Sequence, residues 1–199
     1  MLLAKVDIAD FDLTFIRTFP NMTARFDSVS VVGSNEFDGV RLADIKRLDV
    51  QLNFWSVVGG DKIEIKGISI DEPKIDVRIL KDGKANYDIM KPDSLKTPEE
   101  QEPSNFKMSL KSYSINNADI SYDDREGGMW AVLKNMTHTG KGDLSADITD
   151  FETKTEMDEL SFKMDGMTYL SKVKTDLVAN ILMEFTEKTS KFTLKENTL

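Results

Sequence analysis

The stretch LDVQLNF at 48–54 decides the fold class, together with IEI at 63–65 and IDVRI at 75–79. In all three stretches, apolar residues alternate one by one with polar residues. Because successive side chains of a β-strand point to opposite faces, each stretch predicts a strand with one apolar and one polar face. Such alternation is typical of antiparallel sheets with one wetted side. The residues predicted for the apolar face are Leu48, Val50, Leu52, Phe54, Ile63, Ile65, Ile75, Val77 and Ile79.

The polar residues between these positions predict a solvated convex face. The same alternation continues to the end of the chain, and residues 170–187 fit a long strand better than a helix. Only the first residues and the segment 36–45 look suited to a helical turn. The predicted polar face carries Asp49, Gln51, Lys62, Glu64, Asp76 and Arg78.

Turn residues lie where the predicted strands must reverse. Asp82-Gly83 predicts a tight hairpin, and a change in the parity of the apolar residues at Gly67 predicts a bulge. We therefore predict an all-β protein with very little helix. Its sheet is expected to be antiparallel, strongly twisted and curved into a half-barrel or taco-like shape with a hydrophobic concave face. A division of this sheet into two lobes is left open.

Residues 91–104 interrupt the strand pattern. They hold three of the five prolines and an acidic run, so we predict a linker or exposed loop between a first β segment at 1–90 and a second at 105–199. The two segments share a fragment, ISIDEPKIDV at 68–77 and YSINNADISY at 113–122. The match is either a chance similarity or a repeat, and a repeat predicts β units stacked edge to edge.

Composition argues against several classes of function. The net charge of −9 is unfavourable for nucleic-acid binding, and the chain has no cysteine and a single histidine, His138. His138 is expected to be an exposed strand residue or a satisfied hydrogen-bonding group, and the acidic stretch 123–126 a solvated hairpin tip rather than a calcium site. We predict no catalytic residue, no metal site and no cofactor, and hence no enzyme.

The apolar strand faces are the main feature, and two interpretations remain open. They either pack on each other as an ordinary closed core or line a groove that covers an aliphatic ligand. Each buried methylene of an acyl chain stabilises binding by about 0.8 kcal/mol, so a groove could hold a lipid without charged recognition.

Several stretches resemble the AsmA-like family of bacterial envelope proteins, in the form found in Bacteroidetes. The most telling is ISIDEPKIDVRILKDGKANYDI at 68–89, which contains Pro-x-Ile and Asp-Gly-x-x-Asn-Tyr-Asp-Ile. The others are AKVDIADFDLTFIRTFP (4–20), RFDSVSVVG (25–33), IKRLDVQLNFWSVVGGDKIEI (45–65), SINNADISYDD (114–124) and KFTLKEN (191–197).

The resemblance implies a fold and a function. Members are anchored in the inner membrane by an N-terminal helix and extend through the periplasm as a long curved β-sheet whose apolar groove conducts phospholipid. This sequence lacks that helix and stops where the family continues, so we expect a piece of a longer protein. The expected function is a non-enzymatic periplasmic segment in phospholipid transport and outer-membrane assembly, with a phospholipid or other acyl chain as ligand. The alternative is a structural or protein-interaction β module with a closed core and no lipid.

Overall fold

The computed structural model describes residues 4–15, 19–59, 62–89, 106–143, 146, 148–185 and 190–198. Nine strands form one sheet, and each strand lies beside the next one along the chain. The sheet is not closed, because β1 and β9 are its two edges. The strands are β1 (Ala4–Thr14), β2 (Asn21–Gly33), β3 (Arg41–Asn53), β4 (Ile63–Ile79), β5 (Phe106–Asp124), β6 (Met129–Lys141), β7 (Ile148–Met164), β8 (Met167–Phe185) and β9 (Ser190–Thr198).

The predicted all-β fold class is confirmed. Within the described residues, helix is limited to α1 (Phe54–Val58) and a 3₁₀ turn at Asn35–Phe37. Seven of the eight strand pairs are antiparallel, whereas β4 and β5 run parallel. A parallel pair requires a crossover connection, and here it joins the end of β4 at Ile79 to the start of β5 at Phe106. The predicted linker at 91–104 lies outside the described residues, and the sheet continues without a break from β4 to β5.

Local predictions had mixed outcomes. The strand predicted at 170–187 is confirmed as far as Phe185, as part of β8, and the helical turn considered for the first residues is wrong from Ala4 onward, where β1 begins. Residues 1–3 and 186–187 lie outside the described residues. The bulge at Gly67 is confirmed, because the pairing of β3 with β4 shifts between Gln51–Gly67 and Leu52–Ile65.

The hairpin predicted at Asp82-Gly83 is only partly formed. The turn is tight, but the returning chain makes a single bridge between Ile79 and Ala85. The side chain of Asn86 replaces the missing strand ladder. Its amide oxygen accepts from the Arg78 backbone N–H at 2.9 Å, and its amide nitrogen donates to the Asp76 carbonyl at 2.6 Å.

The repeated fragment forms the parallel pair. Partners such as Ile68–Tyr113 and Ile75–Ile120 are 45 residues apart, the same offset as in the sequence match. Matching polar side chains also bond across the pair: Ser69 with Ser114 at 2.8 Å, and Asn116 with Asp71 at 2.6 Å. The two copies therefore lie edge to edge, as a repeat predicts.

A line of four residues with positive φ crosses the middle of the sheet, and we call it the transverse line. Its members lie on β2, β4, β5 and β6 at matching heights, since the pairs on either side of each member are in register. The parity of the apolar residues changes at this line, for example from Ile45 to Leu48 in β3 and from Ile115 to Ala118 in β5. The transverse line consists of Ser28, Glu72, Asn117 and Asn135.

The parity change keeps the apolar residues on one face. Ala118, Met136 and Met157 form a buried cluster beside the transverse line, with Ala118 fully buried. Residues from both sides of the line pack against this cluster, including Ile115 from one side and Ile120 from the other. At the line, two consecutive residues of a strand therefore point away from the apolar face. The next residue points back to it, so apolar packing continues across the line.

Candidate functional site: the open apolar face

Two rows of cross-strand partners define the candidate site, one on each side of the transverse line. Each row crosses eight strands without a gap in the register. Because directly opposed residues share a face of a sheet, each row lies on one surface. The upper row is Val6, Val31, Ala43, Ile75, Ile120, Leu133, Leu160 and Val173. The lower row is Phe11, Phe26, Leu48, Ile70, Ile115, His138, Thr155 and Leu177.

The apolar face has no second layer over it within the described part of the chain. Apart from α1 and the 3₁₀ turn, the contacts between described elements join neighbouring strands. Phe11 on β1 is 51% exposed and Leu194 on β9 is 58% exposed. In the middle strands the same face is half-buried, because long side chains cover one another sideways.

Eight of the nine apolar residues predicted from sequence lie on strands of this face. Leu48, Val50 and Leu52 belong to β3, and the isoleucines and Val77 belong to β4. Ile79 is buried, and the other seven are half-buried. Ile75 also borders one of the hollows on the opposite face described below.

Phe54 departs from the prediction, because it begins α1 instead of extending β3. The side-chain oxygen of Asn53 accepts from the Trp55 backbone N–H at 2.9 Å and so caps a short helix. Phe54 instead joins an aromatic cluster at this end of the sheet, with ring centroids 4.5 Å from Phe15 and 5.1 Å from Trp55. Trp55 is 62% exposed.

Three side chains place a connected set of hydrogen-bonding groups on the apolar face. The Tyr113 hydroxyl lies 2.7 Å from Nε2 of His138, and Nδ1 of His138 lies 2.8 Å from Oγ1 of Thr155. Burial raises the pKa of Tyr113 and lowers the pKa of His138, so both are neutral near pH 7. The prediction that His138 is a satisfied hydrogen-bonding group is confirmed. Its partners were missed, because they are 25 and 17 residues away in sequence.

Gly140 makes the position of Tyr113 possible. It lies opposite Tyr113 in the β5–β6 pair, and a Cβ at Gly140 would come within 2.4 Å of the tyrosine ring. The ring also stacks on Phe151, with centroids 5.9 Å apart. The missing side chain therefore lets the ring lie across β6, with its hydroxyl at His138.

The polar face carries paired charges and several hollows. Arg25 bonds Asp49 through two nitrogens, each at 2.8 Å, and these hydrogen bonds raise the pKa of Arg25. Lys66 and Ser109 lower the pKa of Glu64 to about 2 by hydrogen bonding to its carboxylate. The Asp49 and Glu64 side chains are 19% and 17% exposed, so the predicted solvated face is partly covered by its own ion pairs.

One of these hollows has a volume of about 610 Å³ and lies below the transverse line. Asp49, Gln51, Ser69 and Ser114 line it, and these residues alternate with members of the apolar face. A second hollow of about 490 Å³, above the line, includes Asp76. The polar face is therefore not evenly convex.

The described residues also bear on a metal site and on a membrane-spanning helix. They contain no group of three or more acidic or histidine side chains placed to hold a metal ion. Among them, no helix has the length and apolar character needed to cross a membrane. The acidic hairpin tip is held by Asp124, whose Oδ1 accepts from the Gly127 backbone N–H at 2.8 Å.

The fold and the site define a class: an open, mostly antiparallel β-sheet with one continuous apolar face. Compared with protein-family models, with curated proteins and with solved structures, the chain matches none.

Proposed function

We propose that the open apolar face binds the acyl chains of phospholipid, and that the protein is a non-enzymatic periplasmic segment of an AsmA-like lipid conduit. The observation that carries the proposal is the continuity of the two rows across eight strands of a sheet that is not closed. The parallel junction and the transverse line could each have interrupted the apolar face, and neither does.

The dimensions suit an extended hydrocarbon. Seven steps between strands of about 4.8 Å make each row about 34 Å long. The acyl chains of one leaflet occupy about 15 Å, half of a bilayer core of about 30 Å. Each row is therefore longer than one acyl chain, as a surface along which lipids move from one position to the next requires.

Energetics also favour a ligand on this face. Burying a methylene contributes about 0.8 kcal/mol, so half-covering a long chain gives several kcal/mol. Apolar side chains exposed at both edges, such as Phe11 and Leu194, would gain cover from the same ligand. The resemblance of 68–89 to AsmA-like sequences supplies the envelope location and the membrane-anchored parent protein, and both are part of the proposal.

The alternative, a structural or protein-interaction module, takes a different form in this open sheet. A closed core would need a second protein layer over the apolar face, in addition to the described residues. The proposal and the alternative therefore differ in what covers that face, a lipid or a protein surface.

Site-specific photo-crosslinking distinguishes them. p-Benzoylphenylalanine is placed at Phe11 or Leu194 on the apolar face. The matched controls are Asp7 and Thr193, which lie on the polar face of the same two strands. The protein is incubated with fluorescent phosphatidylcholine and irradiated. We expect labelled protein from positions 11 and 194 and little from 7 and 193. Equal labelling at all four positions, or none, would overturn the proposal.

A further inference from the structure

The hydrogen-bonded trio of Tyr113, His138 and Thr155 has one hydrogen-bond donor more than it has acceptors for. All three side chains are half-buried on the apolar face, and Ile115 and Leu177 are the cross-strand partners on either side. Polar groups on such a face cost free energy unless they are hydrogen-bonded. The position of each proton in the trio therefore shows which hydroxyl group still needs an acceptor.

The neutral histidine allows two arrangements, since one ring nitrogen donates and the other accepts. If Nδ1 carries the proton, it donates to Thr155, the Tyr113 hydroxyl donates to Nε2, and the Thr155 hydrogen is left over. If Nε2 carries the proton, Thr155 donates to Nδ1 and the Tyr113 hydrogen is left over. Within the described residues, neither hydroxyl has another side-chain or backbone partner. One O–H therefore always needs an acceptor from outside the trio.

The surroundings restrict what that acceptor is. Thr153, a neighbour on the same face of β7, donates to the Ala179 carbonyl at 3.2 Å and makes no hydrogen bond with the trio. The upper row offers only aliphatic side chains. Anything bound along the lower row therefore meets hydrocarbon on both sides and a hydrogen-bond donor at this one place.

We infer that the Tyr113–His138–Thr155 trio holds a polar oxygen of a bound acyl lipid, the ester carbonyl or a phosphate oxygen, while the chain lies along the lower row. This inference rests on the proposed function. It adds that lipids pause at a fixed position on the face, because the lipid oxygen accepts the spare hydrogen bond in place of a water molecule.

The experiment compares two probes on two variants. One probe is lysophosphatidylcholine, which has both kinds of oxygen, and the other is diphenylhexatriene, which is a pure hydrocarbon. The test variant is Tyr113→Phe/His138→Leu/Thr155→Val, which makes the place fully apolar. The control is Thr139→Val, a similar change on the polar face of β6. Affinities are measured by titration of the folded proteins, checked by circular dichroism.

We expect the test variant to bind lysophosphatidylcholine about fivefold more weakly, the loss of about one hydrogen bond, and to retain its affinity for diphenylhexatriene. The control should bind both probes as the unmodified protein does. The ether-linked analogue of the lipid separates the two oxygens: it should bind weakly to the unmodified protein if the ester carbonyl is held, and normally if the phosphate is.

A second readout needs no substitution. The chain has one histidine, so the two ring nitrogens give unique ¹⁵N signals. Lysophosphatidylcholine should shift them, and diphenylhexatriene should leave them in place. Unchanged affinity for the lipid in the test variant, equal loss for both probes, or equal ¹⁵N shifts with both would overturn the inference. If the unmodified protein binds neither probe, the proposed function itself fails.

Discussion

The upper and lower rows cross the same eight strands, and their chemistry differs. The upper row is aliphatic at every position, whereas the lower row changes to His138 and Thr155 where it crosses β6 and β7. The sheet spacing and the register are the same in both, so the backbone does not impose the difference. The comparison shows that the face combines a uniform apolar half with a half that carries one polar position.

The largest effect is expected beside the transverse line, where both halves depend on one cluster. Met136→Ala removes a side chain that is 8% exposed, and we expect it to lower the free energy of unfolding by about 2–5 kcal/mol. Urea titration measures it. The control is Met167→Ala, the same change at a residue that is 60% exposed, where we expect a small loss. Equal losses would show that the cluster does not join the two halves.

A smaller effect is expected from Gly140→Ala, which acts only on the lower half. The new Cβ would meet the Tyr113 ring at 2.4 Å, and forcing the ring aside costs about 1–3 kcal/mol. The ring should move from His138, so the histidine ¹⁵N signals should change as well. Thr139→Ala, next to it on the polar face, should change neither. An unchanged histidine spectrum in Gly140→Ala would contradict the placement of Tyr113.

The smallest effect is a pH dependence of the free energy of unfolding that comes from His138 in the lower row. The upper row has no titrating group and contributes nothing to it. Burial lowers the pKa of folded His138 below that of the unfolded chain, so the unfolded state binds more protons between the two values. The stabilisation that comes from neutral His138 should therefore be fully present above the unfolded pKa of about 6.5. It should decrease as the pH falls from there towards the lower pKa of the folded protein. Urea titrations from pH 8 to pH 5 measure the slope. His138→Gln should remove the contribution of the histidine to this slope. An unchanged slope in that variant would mean that carboxylates cause the pH dependence.

Much of the fold could be predicted from single strands. Alternation identified β3 and β4 and the face of each apolar residue, because strand geometry alone assigns alternate side chains to opposite sides. The parity change at Gly67 located a bulge for the same reason. Phe54 was wrongly predicted to extend β3. The alternation ends there, and the side-chain oxygen of Asn53 caps a short helix instead.

The parallel pair was harder to predict. Alternation favoured an antiparallel sheet throughout, and nothing local distinguishes β4 and β5 from the other strands. The 45-residue repeat contained the necessary information, since equal offsets place Ser69 beside Ser114 and Asp71 beside Asn116. A repeat whose copies lie side by side in register has to be parallel.

The sequence by itself determined that this protein is a β-sheet with an apolar and a polar face, since that depends only on the order of side chains along each strand. The tertiary structure decided that the sheet stays open, that the parity changes line up across it, and that Tyr113, Gly140, His138 and Thr155 meet. These features depend on which strands are neighbours and in what register, and the backbone pairing of distant segments sets both.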